Sequence, residues 1–295
     1  MRDSESLGTV AIKGVGLIGG SIGMALRARG LATRVVGLGR DESKLRRAVE
    51  LGAIDEFTTD PASAYSRADC VVVCTPVGSI VEDVVECFKY ARSQAMVTDA
   101  GSVKGTIVSG VLGSAGRDAE RFVGAHPIAG SERGGVEFSR RDLFENRVCV
   151  LTPTDPVCKD SLQRARAFWR GLGCSIVETT PERHDELLAS GSHLPHVIAA
   201  ALAASIPIEA IPLTAGAFRD GTRVAASSAE LWTGIFQANR EPLLKAIARY
   251  EAELTSFVRA LESNQEVEIK NWWLRAQQRL STSRAESNPT VNVDA

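Results

Sequence analysis

A glycine-rich turn near the start of the chain limits the possible folds more than any other feature. Residues 9–12 form an apolar run typical of a buried strand, residues 14–19 (GVGLIG) match G-x-G-x-x-G, and an apolar helical pattern begins at Ile22. In this context the glycines allow a tight turn and a close approach to the backbone, and the helix N-terminus offers free N–H groups to a pyrophosphate. The residues expected to bind a dinucleotide here are Gly14, Gly16, Leu17, Ile18 and Gly19.

Strands and helices alternate as far as about residue 180. Apolar runs predict strands over residues 34–38, 69–75, 95–98, 121–124, 147–151 and 175–178, and helical patterns cover residues 43–51, 81–90 and 159–171. This alternation predicts right-handed β-α-β units and a doubly wound parallel sheet. The predicted fold class is therefore α/β, with an N-terminal Rossmann-type sheet.

Beyond Pro181 the pattern changes to Ala- and Leu-rich helical segments without a convincing strand. We predict a dinucleotide-binding domain over residues 1–180, an all-α domain over residues 181–283 and a polar, disordered tail over residues 284–295. The most apolar stretch, residues 196–217, is interrupted by Pro207, Glu209 and Pro212. It is therefore predicted to form buried helices and not a membrane span.

Charge and cysteine content exclude several classes of protein. The chain has 34 Lys and Arg against 36 Asp and Glu, a net charge of -2, without the basic cluster that binds nucleic acid or a membrane surface. Its six cysteines form no C-x-x-C pair, and the first residues lack the pattern of a signal peptide. We expect reduced thiols and a cytoplasmic location.

The end of the second predicted strand bears on the choice of cofactor. An NAD site usually has Asp or Glu here to bind the ribose, but the chain has Gly39 followed by Arg40. A glycine removes repulsion toward a 2′-phosphate and an arginine supplies a cation for it, so this pair favours NADP. The alternative is that Arg40 is solvated and Asp41 binds the ribose.

Three further loops follow predicted strands, where a doubly wound sheet binds its ligands. They contain Thr75 and Pro76, the segment DAGSVK (residues 99–104) and the segment GAHPIAGSE (residues 124–132). We expect these loops to line one crevice with the glycine turn. Of the four histidines, His126 lies in the last loop, and His184, His193 and His196 lie in the helical half.

Six motifs occur in an order that resembles the TyrA family, the prephenate and arogenate dehydrogenases of tyrosine biosynthesis. They are GVGLIGGS, DAGSVK, HPIAGSE, SHLPH, FRDGTR and LWTGIFQANRE, and the resemblance covers roughly residues 9–280. It implies a Rossmann domain, a helical dimerisation domain, a homodimer, and a substrate site in the cleft between the domains.

The resemblance also implies roles for individual residues. It makes His126 the base or hydrogen-bond acceptor for the substrate hydroxyl, and Ser102 a residue that orients that histidine or the hydroxyl. Arg219 of FRDGTR would hold the ring carboxylate, with a surface ion pair to Asp220 as the alternative. Other assigned positions are Glu132, an acid that gates the cleft, and Lys104, near the cofactor or simply solvated.

His193 and His196 lie three residues apart, so a helix would place them on one face. We interpret them as substrate-binding or cleft-lining residues, with a structural role as the alternative. A metal pair is disfavoured, because only His184 and Asp185 nearby could add ligands. Trp232 is expected to pack in the core.

Prephenate is the first candidate substrate, and arogenate or both substrates the alternative. NADP use is commoner among arogenate enzymes of the family that the chain resembles. A nucleotide-sensing protein without turnover is a third interpretation, and the presence of Ser102, His126 and Arg219 together argues against it.

Overall fold

The computed structural model describes residues 6–286 of the chain. The strands are β1 (Thr9–Lys13), β2 (Arg34–Leu38), β3 (Glu56–Thr58), β4 (Cys70–Val73), β5 (Met96–Asp99), β6 (Phe122–Pro127), β7 (Val148–Thr152) and β8 (Ser175–Glu178). The helices of the first part are α1 (Leu17–Ala28), α2 (Glu42–Glu50), α3 (Pro61–Tyr65), α4 (Val77–Tyr90), α5 (Gly105–Ala115) and α6 (Lys159–Gly171). Those of the second part are α7 (Pro181–Leu188), α8 (Leu194–Ser205), α9 (Gly216–Thr222), α10 (Ala229–Ala238), α11 (Arg240–Glu262) and α12 (Glu266–Glu286).

The strands form one eight-stranded sheet in the order β3-β2-β1-β4-β5-β6-β7-β8. This order confirms the predicted α/β class with a Rossmann-type sheet followed by helices. The prediction of an all-parallel sheet was wrong at one pair, because β6 and β7 are antiparallel. A parallel return needs a crossover, usually a helix, and the connection over residues 128–147 contains only a short 3₁₀ turn, Val136–Phe138.

The central strands are buried on both faces, as parallel strands covered by helices should be. Val10 and Ile12 of β1 belong to one apolar cluster with Ile22 of α1 and Trp169 of α6. Ala11, the residue between them, belongs to a second cluster with helices α3, α4 and α5. Because side chains alternate along a strand, the two clusters lie on opposite faces, and the loops of the predicted site follow the carboxyl ends of the strands between them.

Residues up to Leu243 form one compact unit and residues from Leu244 form a second one. Helices α7 to α10 thus belong to the same compact unit as the sheet, and the boundary predicted at residue 180 stays a prediction. Helix α12 ends at Glu286, so residues 284–286 of the predicted tail are helical. The rest of that tail, residues 287–295, lies outside the described residues.

The prediction that residues 196–217 form buried helices was wrong for the single chain. Ala199 is the buried residue of α8, whereas Ile208 and Leu213 are 81% and 84% exposed. The continuous helical stretch Pro181–Ser205 is long and apolar enough to cross a membrane by length and composition alone. Two of its histidines, His184 and His193, nevertheless form hydrogen bonds to other elements of the same unit, as described below.

Candidate active site

The glycine turn has the shape that a dinucleotide pyrophosphate requires. Gly14 has a φ of 89°, and a Cβ at Gly19 would lie only 2.2 Å from the carbonyl oxygen of Gly14. A Cβ at Gly16 would meet no protein atom within 4 Å, and no side chain caps the N-terminus of α1. No side chain thus competes for the first N–H groups of the helix, there is room at Gly16, and the residues present fit a phosphate-bearing cofactor.

Of the two charged side chains after β2, Asp41 is already engaged in hydrogen bonds and, in the part of the chain that the structure describes, Arg40 is not. Asp41 caps α2, because its carboxylate accepts hydrogen bonds from the backbone N–H of Ser43 at 3.0 Å and of Lys44 at 3.3 Å. It also accepts from the Ser43 hydroxyl at 2.6 Å, and these bonds lower the pKa of Asp41. Arg40 is exposed, and its guanidinium has no partner among residues 6–286. A cation, and not a free carboxylate, is thus available at this position.

The two predicted cofactor contacts after β4 are placed at the start of α4. Pro76 immediately precedes the helix. The hydroxyl of Thr75 donates to Asp83 at 2.5 Å, and Asp83 in turn lies 3.4 Å from the ammonium of Lys13. The Thr75 hydroxyl is therefore held by α4, while its methyl group lies beside the glycine turn, 3.1 Å from where a Cβ on Gly14 would stand.

Lys104 has a different environment from the predicted one. It is fully buried, its ammonium is paired with Asp99, and it donates to the carbonyl oxygen of Ala125 at 2.9 Å. Asp99 also accepts from the N–H of Ala125 at 3.0 Å. The ion pair and these bonds tie the end of β5 to β6 beside the catalytic candidate His126, so the Lys104 side chain is not solvated, and its assigned place near the cofactor stays a prediction.

A chain of hydrogen bonds begins at His126, which is half-buried near the end of β6. Its Nδ1 lies 2.8 Å from Nε2 of His184, and Nδ1 of His184 lies 2.7 Å from the carboxylate of Asp185. That carboxylate also accepts from the N–H of Lys104 at 2.7 Å and of Gly105 at 2.8 Å. Asp185 thus caps the N-terminus of α5, where the helix dipole favours a negative charge.

The network assigns the proton positions of both imidazoles. A carboxylate only accepts hydrogen bonds, so His184 donates through Nδ1–H and accepts through Nε2. His126 then donates its Nδ1–H to His184, and its Nε2 keeps a free lone pair. Burial, followed by the nearby His184 and the ammonium of Lys104, holds the pKa of His126 well below its usual range. The result is a neutral imidazole with one acceptor nitrogen, which is what a general base requires.

His193 is held by Asn239, the residue after α10. The Asn239 amide donates to the carbonyl oxygen of Asp185 at 2.9 Å and to Nδ1 of His193 at 3.0 Å. The proton of His193 is therefore on Nε2, and this ring is a donor. Burial, above all other causes, lowers the pKa of His193 to about 4.

A second group of side chains contains His196, Trp232, Glu132 and Arg223. His196 donates from Nδ1 to the carbonyl oxygen of Ser192 at 2.9 Å, and its ring stacks on Trp232 with centroids 3.6 Å apart. Arg223 lies 3.2 Å from the carboxylate of Glu132. Burial lowers the pKa of His196 and the charge of Arg223 lowers it further, while the Ser192 bond raises it. The charge of Arg223 therefore acts on His196 as well as on Glu132.

The structure leaves two predicted residues without direct contacts. Arg219 lies on α9, is exposed, and forms no side-chain bond or ion pair within residues 6–286, so the predicted alternative of a pair with Asp220 is wrong. Ser102 is half-buried in the turn between β5 and α5, and no hydrogen bond joins it to His126 in the described part of the chain. Their assigned roles stay predictions.

Sequence reasoning missed the parts of the site that depend on tertiary contacts. From the sequence we considered His184 and Asp185 only as metal ligands, yet they orient His126. Among the described residues, no group of three or more His, Cys, Asp or Glu side chains could hold a metal ion. Arg223 belongs to the same FRDGTR motif as Arg219, so the motif was a usable signal for both arginines.

Two family models together match most of the chain. The nucleotide-binding domain of prephenate dehydrogenase matches residues 22–178, and the dimerization domain of prephenate dehydrogenase matches residues 180–274. Prephenate dehydrogenase of Bacillus subtilis is 32% identical over 83% of this chain and 68% of its own length.

Solved structures give the same result. Prephenate dehydrogenase of Aquifex aeolicus, in complex with hydroxyphenyl propionate and NAD+, is 33% identical, with a TM-score of 0.86 over 97% of this chain and 100% of that chain. Arogenate dehydrogenase of Synechocystis is 30% identical, with a TM-score of 0.77 over 95% of this chain and 100% of that chain. The chain is an oxidoreductase with a nicotinamide-nucleotide-binding domain and a dimerization domain, and it belongs to the prephenate dehydrogenase family.

Proposed function

We propose that this enzyme catalyses the oxidative decarboxylation of prephenate to 4-hydroxyphenylpyruvate. Arogenate, which has an amino group in place of the side-chain ketone, is the alternative substrate. The observation that carries the proposal is the neutral His126, whose free Nε2 is held in place by His184 and Asp185. When bound, the nicotinamide accepts a hydride from C4 of the substrate.

The residues of the chain manage the proton and the charges. His126 accepts the proton of the C4 hydroxyl through Nε2 as that oxygen becomes a carbonyl. The positive charge that develops on its ring is stabilised by the bond from Nδ1–H to His184, which Asp185 orients. Carbon dioxide then leaves, the electrons of the broken bond complete the aromatic ring, and the C4 oxygen regains a proton from the His126 imidazolium to become the phenol hydroxyl. Because aromatisation drives the reaction, orientation of the base contributes more than its basicity.

The substrate is a dicarboxylate, so the site needs cations. Arg223 supports this role better than Arg219 does, because its guanidinium lies 3.2 Å from Glu132 and its charge lowers the pKa of His196. We propose that Arg223 binds a substrate carboxylate and that its pairing with Glu132 holds the guanidinium at the cleft in the absence of substrate. The planar guanidinium suits a bidentate carboxylate.

Substituting the two arginines separately tests this assignment. Arg223→Ala is expected to raise the KM for the substrate about 10- to 100-fold, since a hydrogen bond to a charged group contributes roughly 1.5–3 kcal/mol. Arg219→Ala, matched in size and charge, is expected to have the smaller effect. Steady-state kinetics at saturating cofactor measure both. The original assignment to Arg219 is correct if the order of the two effects is reversed.

The pH profile is a further expected result. Protonated His126 cannot accept a proton, and the folded protein depresses the pKa of this histidine, so kcat/KM should fall only at a pH well below about 6.5. The unfolded chain binds protons at the ordinary histidine pKa, so the free energy of unfolding also decreases as pH falls below about 6.5. Circular dichroism at each pH separates the two effects. An acid limb centred at or above the ordinary value contradicts the assignment.

We propose that the cofactor is NADP+. Two observations support this: Asp41 is occupied as a helix cap, and the cation of Arg40 is unpaired among the described residues. Gly39 precedes them, and a Cβ there would lie 3.4 Å from Leu45, an ordinary contact. An aspartate can therefore be introduced at this position without disturbing the fold.

Gly39→Asp is expected to shift the ratio of kcat/KM for NADP+ to that for NAD+ toward NAD+ by about tenfold or more, because its carboxylate repels a 2′-phosphate and accepts from a ribose hydroxyl. Arg40→Ala is the companion variant and should raise the KM for NADP+ while changing that for NAD+ little. Initial rates with both cofactors give the ratios. An unchanged ratio in Gly39→Asp contradicts NADP preference.

We further propose a cytoplasmic homodimer. The dimerization-domain match and the exposed apolar side chains of residues 202–213 support the dimer. Analytical ultracentrifugation measures the mass of the assembly in solution.

The decisive test of the activity offers prephenate and arogenate with NAD+ and NADP+ in all four combinations and follows the absorbance of the reduced nicotinamide. Absence of turnover in every combination would favour a nucleotide-sensing protein.

A further inference from the structure

The helical stretch from α7 to α8 contains one widened turn. Residues Ala189–His193 form a π-helical turn, and Pro195 follows two residues later. In a regular α-helix, proline lacks the N–H that would bond to the carbonyl four residues earlier, and its ring collides with that carbonyl. The carbonyl at that position belongs to Gly191. A π turn, with bonds five residues apart, moves this carbonyl away, so Pro195 gives a physical reason for the wider turn.

The extra residue of a π turn changes which side chains share a face. With about 100° per residue, a regular α-helix would place His193 about 180° and His196 about 120° around the axis from His184. One π turn absorbs one residue and reduces these angles by about 100°, to about 80° and about 20°. The three histidines then lie on one side of the helix, as a common site requires.

The observed contacts depend on this angular position of the later residues around the helix axis, which we call the phase of the helix. His184, before the π turn, bonds to His126. His193, at its end, shares the Asn239 amide with the carbonyl oxygen of Asp185, and both His193 and Asn239 are buried. A rotation of the later part of the helix by one residue would separate His193 from Asn239. Buried polar groups left without partners are costly, so the two contacts require the present phase.

Within the single chain, residues 6–286 give Pro195 and Gly191 no packing role that would explain them otherwise. Both are exposed, and a Cβ built on Gly191 meets no atom within 4 Å. The effect of the proline must therefore be exerted through the backbone. We propose that Pro195 is a positioning residue of the active site, because it maintains the π turn that brings His193 and His196 to the face of His184; this proposal builds on the function proposed above.

The test uses two variants that differ by one residue of length. Pro195→Ala allows the helix to become regular, so we expect a melting temperature no lower than that of the wild type and kcat/KM reduced about 100-fold, the loss typical of a displacement near 1 Å. Deleting Gly191 in the Pro195→Ala protein removes the extra residue. A regular helix then has His193 and His196 in the original phase, and we expect kcat/KM to return to within about tenfold of the wild type.

Gly191→Ala keeps the chain length and Pro195, and it is expected to keep wild-type kinetics. Wild-type kcat/KM in Pro195→Ala overturns the proposal, and so does failure of the Gly191 deletion to restore activity in a folded protein. Loss of folding in Pro195→Ala also overturns it, since the proline would then be structural.

A crystal structure of Pro195→Ala separates this proposal from the function on which it builds. The expected change is loss of the contact between Asn239 and Nδ1 of His193, now 3.0 Å long. If the wild type turns over none of the four substrate and cofactor combinations, the proposed function fails, but the positioning of His193 is still decided by this contact. An unchanged contact overturns the positioning role.

Discussion

Replacing His126 with asparagine is expected to lower kcat about 10³-fold while leaving the protein folded. The amide can still occupy the space of the ring and donate to His184, but it offers no basic nitrogen to the substrate hydroxyl. A positioned base contributes typically 10² to 10⁴ in rate, and about 10³ is the middle of that range. The measurement is kcat for the preferred substrate, with the melting temperature as the check on folding.

Binding of the cofactor is the internal control for His126→Asn, because the glycine turn and Arg40 lie on other loops. Fluorescence titration with the reduced cofactor should give an unchanged Kd. If the variant keeps full turnover, another group accepts the proton and His126 is not the base. A parallel fall in cofactor affinity would instead indicate damage to the nucleotide-binding loops.

The fold was predictable because its signals are local. A strand, the glycine turn and a helix follow one another within residues 9–28, and the buried runs of β2 and β4 consist of β-branched and other apolar residues. Two features had no such signal. β3 has only three residues, too few for a periodic pattern, and the direction of β7 depends on a long connection without a crossover helix.

A residue of the site was predictable only where its own short sequence motif indicates its role. His126 stands in a loop after a strand, and the structure gives it the environment of a base. Its orientation comes from His184 and Asp185, which are about 60 residues away in sequence, and no local pattern links them to it. The burial of Lys104 has the same origin only in part: Asp99 is five residues away in the same segment, but the carbonyl oxygen of Ala125 becomes a partner only when β5 and β6 are side by side.

Asp185 controls the proton positions of the whole chain of hydrogen bonds. Its carboxylate forces His184 to donate from Nδ1, which leaves Nε2 of His184 to accept from His126. An asparagine at this position can present its NH₂ group to His184 instead. His184 would then accept through Nδ1 and donate from Nε2, and the proton of His126 would move to its own Nε2. The nitrogen that faces the substrate would become a donor and lose its function as a base.

Asp185→Asn is therefore expected to lower kcat about 10³-fold, although it changes no atom in contact with the substrate. It should also lower the free energy of unfolding by roughly 1–3 kcal/mol, since the N–H groups of Lys104 and Gly105 lose a charged acceptor. The matched control is Asp160→Asn on the exposed side of α6, which should change neither quantity. Kinetics and denaturant titration of the two proteins measure both effects. If Asp185→Asn loses stability and keeps kcat, Asp185 is a helix cap alone and does not orient His126 through His184.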